Sequence, residues 1–240
     1  MIDVLKIIGL TMIGGICIPL GGFLASIENI HRTWLEQEFR HFVIALGGGI
    51  LLGAVSQVLI PEGIAYMGQS LWTVPITVLG GVFFFGVEQF LASRQQDAPQ
   101  MTGMLLDYVP EAIALGGLVA TGSSTALLLA ILMGFQNLPE GFNTYRELRE
   151  NGQHKSRQTL IFMCKLVAIG PIAGLSGFFF LANYPYILGA LMLFASGGIL
   201  YLIFQDIAPQ CPLKKHWFPP LGAVFGFCIA MFSHLLLGSV

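Results

Sequence analysis

Apolar residues in this chain gather into long blocks, at about 4–26, 41–66, 71–92, 103–121, 125–145, 159–182, 186–209 and 217–239. Each block comes near the roughly 20 residues that a helix needs to cross a bilayer. Only short polar loops separate them. The pattern predicts an all-α polytopic membrane protein with eight transmembrane helices, forming a single transmembrane domain over 1–240.

Composition agrees with that reading. Charged residues make up 10% of the chain and hydrophobic ones 55%, whereas a soluble domain carries roughly 25% charged residues. If the spans alternate in direction, nine of the 11 Lys and Arg fall in loops on one side: Arg32, Arg40, Arg94, Arg146, Arg149, Lys155, Arg157, Lys214 and Lys215. Basic loops stay cytoplasmic. Both termini are therefore expected outside the cell (inner or plasma) membrane, and an even number of spans is supported independently of hydropathy. The opening stretch lacks a basic leader region and reads as a retained first span. A net charge of −2 without a large basic patch argues against a nucleic-acid partner. Cys17, Cys164, Cys211 and Cys228 lack C-x-x-C spacing and read as free thiols.

An internal repeat organises the blocks. The first contains "PLGGF" (19–23) and the sixth "PIAGL" (171–175). The second carries "GGIL" (48–51) ahead of Gln57 and Pro61; the seventh carries "GGIL" (197–200) ahead of Gln205, Asp206 and Pro209. The third opens "WTVP" (72–75) and the eighth "WFPP" (217–220). Three spans, two, then three gives a 3+2+3 arrangement in which helices 1–3 (1–92) and 6–8 (159–240) enter the membrane from opposite sides. Inverted repeats of this kind are a common build for secondary transporters. The central helices 4 and 5 occupy 103–145.

Those two central blocks break the apolar pattern with "DYVPEA" (107–112) and "QNLPEG" (136–141). Pro110 and Pro139 have no N–H, so the carbonyls of Leu106 and Phe135 lose their helical partners and the helices are expected to kink. Asp107 and Glu111 are four residues apart, as are Gln136 and Glu140, which sets each pair on one helical face. Antiparallel packing would bring these four oxygen-bearing side chains together, with Tyr108 and Asn137 flanking them. Carboxylates inside a membrane need compensation, and Lys165 is the one candidate inside a span to neutralise them. A divalent cation would discharge the carboxylates and satisfy the freed carbonyls. The expected metal site is Asp107, Glu111, Gln136, Asn137 and Glu140. An all-oxygen set suits Mn²⁺, Mg²⁺ or Fe²⁺ better than a histidine site does, while zinc also binds carboxylates.

Gln57, Gln205 and Asp206 are expected along a pathway. Glu88 and Gln89 read as solvated helix ends, and the Pro61–Glu62 pair as a solvated turn at the outer end of span 2. His31, His41, His154 and His216 read as surface residues, and His234 as a satisfied core histidine.

The motif "QNLPEG", together with the span count and termini, resembles the ZIP (Zrt-, Irt-like) family of divalent metal-ion transporters over essentially the whole chain. "DYVPEA" is a weaker match, with Asp107 and Tyr108 in place of histidine and asparagine. The family's helix 6 Glu-Pro is Gly170-Pro171 here, and its His-Glu-x-x-Pro on helix 7 is "QDIAP" (205–209). The resemblance implies metal uptake toward the cytosol by a homodimer, with the metal as substrate. The departures point to one metal position and reduced zinc selectivity. Two other readings compete. "GLSG" (174–177) matches the Gly-x-Ser-Gly of intramembrane serine proteases, with Ser176 as nucleophile and His234 as base, but it accounts for none of the Pro-Glu pairs. The other is a non-transporting relative that senses metal or serves as a scaffold. The favoured reading is a transporter, with no enzymatic activity.

Overall fold

The computed structural model describes residues 2–28, 33–93, 98–150, 156–212 and 217–237. These form helices, with no strand among the described residues. The order is α1 (Ile2–Ile27), α2 (Thr33–Ala54), a π turn π1 (Val55–Leu59), α3 (Ile60–Tyr66), α4 (Thr73–Ser93), α5 (Pro99–Ala120), α6 (Thr125–Glu150), α7 (Ser156–Leu166), α8 (Ile169–Leu181), α9 (Pro185–Leu202), π2 (Ile203–Ile207), α10 (Ala208–Gln210) and α11 (Leu221–Leu237).

Six helical stretches are long and apolar enough to cross a membrane: Ile2–Ile27, Gln37–Tyr66, Thr73–Ser93, Pro99–Ala120, Ser156–Leu181 and Pro185–Gln210. They make the chain an integral membrane protein. Two of the expected spans fall outside this set for different physical reasons. Helix α11 is a shorter apolar helix. Helix α6 has ample length, but Gln136, Asn137 and Glu140 interrupt its apolar run, and Arg146, Glu147 and Arg149 load its last turns.

Helix pairing comes in matched sets. Helix α1 packs on α6 as α8 packs on α5, α2 on α11 as α9 on α4, and α2 on α6 as α9 on α5. Exchanging α1 with α8, α2 with α9, α4 with α11 and α5 with α6 carries each of these pairs onto its mate. Glycines from both partners set the crossings. A methyl group at Gly21 would run into the backbone of α6, and one at Gly141 into that of α1. Gly116 and Gly177 stand in the same relation across α5 and α8. Small residues allow backbones this close, which is how helices associate in lipid without a hydrophobic driving force. The outward side chains are apolar: Val78, Val82 and Phe83 on α4, and Val224, Phe225 and Phe232 on α11, are exposed.

The two π turns also correspond. In each, the next residue's N–H reaches back five positions, Ile60 to the Val55 carbonyl and Ala208 to that of Ile203. Pro61 and Pro209 follow directly. A proline has no N–H to contribute, so the turn ahead of it can widen without losing that bond. The Pro61–Glu62 pair, expected in a solvated turn, lies instead in a continuing helix, with Pro61 exposed and Glu62 half-buried.

Candidate metal centre

Helices α5 and α6 lie antiparallel, and a ladder of polar contacts fixes their register. Glu147 of α6 accepts the Gln100 and Met101 N–H groups at 3.0 and 3.2 Å. One turn on, the Thr144 hydroxyl lies 3.9 Å from the Met104 sulfur. Asp107 and Glu140 come next, close enough for their carboxyl groups to hydrogen-bond once one carries a proton. Beyond them, Gln136 Nε2 donates to Glu111 Oε2 at 2.5 Å. The i, i+4 spacing in each helix thus places Asp107 opposite Glu140 and Glu111 opposite Gln136. Both helices continue through Pro110 and Pro139.

This ladder is buried. Glu111, Gln136 and Asn137 are 0% exposed and Asp107 3%. Asp107, Glu111 and Glu140 are near enough to repel one another as anions, and low polarity strengthens that repulsion. Asp107 Oδ1, Glu111 Oε1, Gln136 Oε1, Asn137 Oδ1, both Glu140 oxygens and Asn143 Oδ1 are buried with no hydrogen-bond partner. Every one of these atoms is an acceptor. Buried polar atoms are ordinarily satisfied, and this group can be satisfied only by protons, donors or a cation.

No three His, Cys, Asp or Glu side chains among the described residues stand arranged to hold a metal ion. The acidic groups form two facing pairs instead, with an amide in one of them. A cation bound here would draw Glu111 away from the Gln136 amide and take amide oxygens into its shell.

Two flanking residues do different work. Asn137 Nδ2 donates to the Gly14 carbonyl at 3.0 Å, tying α6 to α1 and leaving only its oxygen toward the group. The Tyr108 hydroxyl lies where methyl groups on Gly15 of α1 and Gly170 of α8 would be. The phenol occupies the room that a larger side chain ahead of Pro171 would need.

The expected pathway residues are dispersed. Gln57, in π1, has its Oε1 buried without a partner. In π2, Gln205 is exposed and Asp206 half-buried. Asp206 interacts electrostatically with Glu88 and Tyr201, toward α4, rather than with the α5–α6 carboxylates. Ser176 donates its hydroxyl to the Ala173 carbonyl at 2.7 Å, and His234 Nδ1 is buried without a partner, so no hydrogen bond joins them. The expectation that His234 is satisfied in the core fails at that nitrogen.

Several residues of the same polar face were missed from the sequence. Asn143, Thr144 and Glu147 extend it beyond Glu140, while on the other side of Gln136 α6 turns to the buried apolar Leu129, Leu132 and Met133. The signal was present: Gln136, Glu140, Asn143 and Glu147 recur at spacings of four, three and four, one face of a helix. At the Glu147 end, Gln100 Nε2 donates to Gln210 Oε1 at 3.0 Å, and Gln210 Nε2 to the Asp206 carbonyl at 2.6 Å. His41, expected on the surface, is half-buried with its Nδ1 hydrogen-bonded to the Gln210 carbonyl. Residues 31, 154 and 216, also read as surface histidines, lie outside the described residues. Compared with known protein families and with curated proteins, the sequence has no match.

Proposed function

We infer that the chain is a divalent metal-cation transporter, with Mn²⁺, Fe²⁺, Zn²⁺ or Mg²⁺ as its substrate. One observation carries this reading: seven buried, unpartnered acceptor oxygens on two facing helices, against a single unpartnered hydroxyl there, that of Tyr108. A structural polar cluster normally balances donors against acceptors. This one is unbalanced in the direction that a positive ion corrects.

Asp107, Glu111, Gln136 and Glu140 are the proposed ligands, with Asn137 contributing its carbonyl oxygen while holding α1. The ladder from Glu140 through Asn143 to Glu147 is the proposed route to the cytosol, because it runs toward the helix end that carries Arg146 and Arg149. Leu129, Leu132 and Met133 close the outer side, and the buried Asn143 and Thr144 close the inner one, so this arrangement corresponds to an occluded state. Transport then requires each side to open in turn, in conformations other than this one.

The matched pairing and the paired π turns support a 3+2+3 inverted repeat with eight spans, α11 and α6 included. These features favour membership of the ZIP-like class despite the loss of the helix 6 glutamate. The Tyr108 phenol beside Gly170 favours one metal position rather than two. Homodimer formation and a plasma-membrane location with both termini outside belong to the same proposal.

Uptake into proteoliposomes containing the purified full chain tests it. Mn²⁺ uptake should be competed by at least one of Fe²⁺, Zn²⁺ and Mg²⁺. Glu111→Gln and Glu140→Gln should each lower uptake by more than about tenfold, the loss that even residues supporting a metal site cause. Unchanged uptake in both variants would overturn the assignment.

A further inference from the structure

A second polar site lies apart from the carboxylates, where α1, α6 and α7 meet. A cavity of about 380 Å³ is lined there by Ala25, Ser26, Tyr145, Arg146, Arg149 and Ser156. Among the described residues its lining carries two guanidinium groups, and the nearest carboxylate, that of Glu28, stands outside the lining. Arg146 is held in place: one nitrogen pairs with Glu28 at 3.0 Å, and the guanidinium lies 5.6 Å from the centre of the Phe142 ring. Arg149, one turn on, is exposed. Tyr145 donates to Ser156 Oγ at 2.7 Å, so the Ser156 hydroxyl keeps its own proton for another acceptor. Ser156 also opens α7, and the first turn of a helix carries partial positive charge.

We propose that this cavity binds a phosphate group, presented by an anionic lipid headgroup or by free phosphate. Planar guanidinium forks match phosphate oxygens, and the serine hydroxyl and helix start add donors of the same sense. The neighbouring surface suits a lipid. Phe23, Leu24 and Ile27 of α1 are exposed apolar side chains beside Ser26, positioned for acyl chains, and basic pockets between spans are recurrent headgroup sites. The inference is independent of metal transport.

Native mass spectrometry of the full chain, with phosphatidylglycerol, phosphatidylcholine or inorganic phosphate added, tests it. Phosphatidylglycerol should be retained over phosphatidylcholine. Arg149→Gln should weaken that retention about fivefold, the effect of one basic side chain at a membrane surface. Arg157→Gln, an exposed basic neighbour outside the cavity, should not. Displacement of the lipid by inorganic phosphate would also support the site, with a soluble anion as its occupant. Equal losses in the two variants, or no dependence on Arg149, would overturn it.

Discussion

The phenol of Tyr108, fully buried on α5, ends in the space left by Gly15 and Gly170. A methyl group at position 170 would overlap its hydroxyl. Gly170→Ala is therefore expected to destabilise the protein by about 1–3 kcal/mol, as overpacking does. Tyr108→Phe removes the obstructing atom, and in that background most of the loss should disappear. Thermal unfolding of the four proteins in this double-mutant cycle checks it; an equal loss in both backgrounds would mean that the hydroxyl is not the obstacle. Neither residue announced this relation in the sequence. Gly170 was legible only as a missing glutamate, and Tyr108 as a replaced asparagine flanking the carboxylates, because their contact is tertiary.

At the level of elements, Glu147 acts as a cap delivered from another helix. It accepts two N–H groups at the start of α5, where intrahelical acceptors are lacking. Glu147→Ala should cost about 1 kcal/mol, as losing a cap does, and should speed hydrogen exchange at Gln100 and Met101. If exchange at those two amides does not change, the cap assignment fails. The carboxylate–amide ladder was partly legible, since Asp107, Glu111, Gln136 and Glu140 recur at helical spacing within apolar sequence. Its continuation was overlooked despite the same spacing, because Asn143 and Glu147 resemble the ordinary polar end of a span. The π turns were hidden for a different reason. Pro61 and Pro209 are plain in the sequence, but the widening ahead of them depends on hydrogen bonds that no residue pattern encodes.

For the whole molecule, six of the eight expected span blocks were readable because apolar length alone sets a membrane helix. The matched pairing of α1 with α6 and of α8 with α5 depends on glycine contacts far apart in sequence. The bias of basic residues predicts that epitope tags on both termini are reached by antibody from outside intact cells; a tag reached only after permeabilisation would contradict the eight-span topology. The buried oxygens of α5 and α6 are proposed to hold the metal, and anomalous diffraction from crystals of the full chain grown with Mn²⁺ would locate it. One peak is expected among Asp107, Glu111, Gln136 and Glu140, and it should disappear in Glu140→Gln. A peak elsewhere in the bundle, or one that survives this substitution unchanged, would contradict that placement.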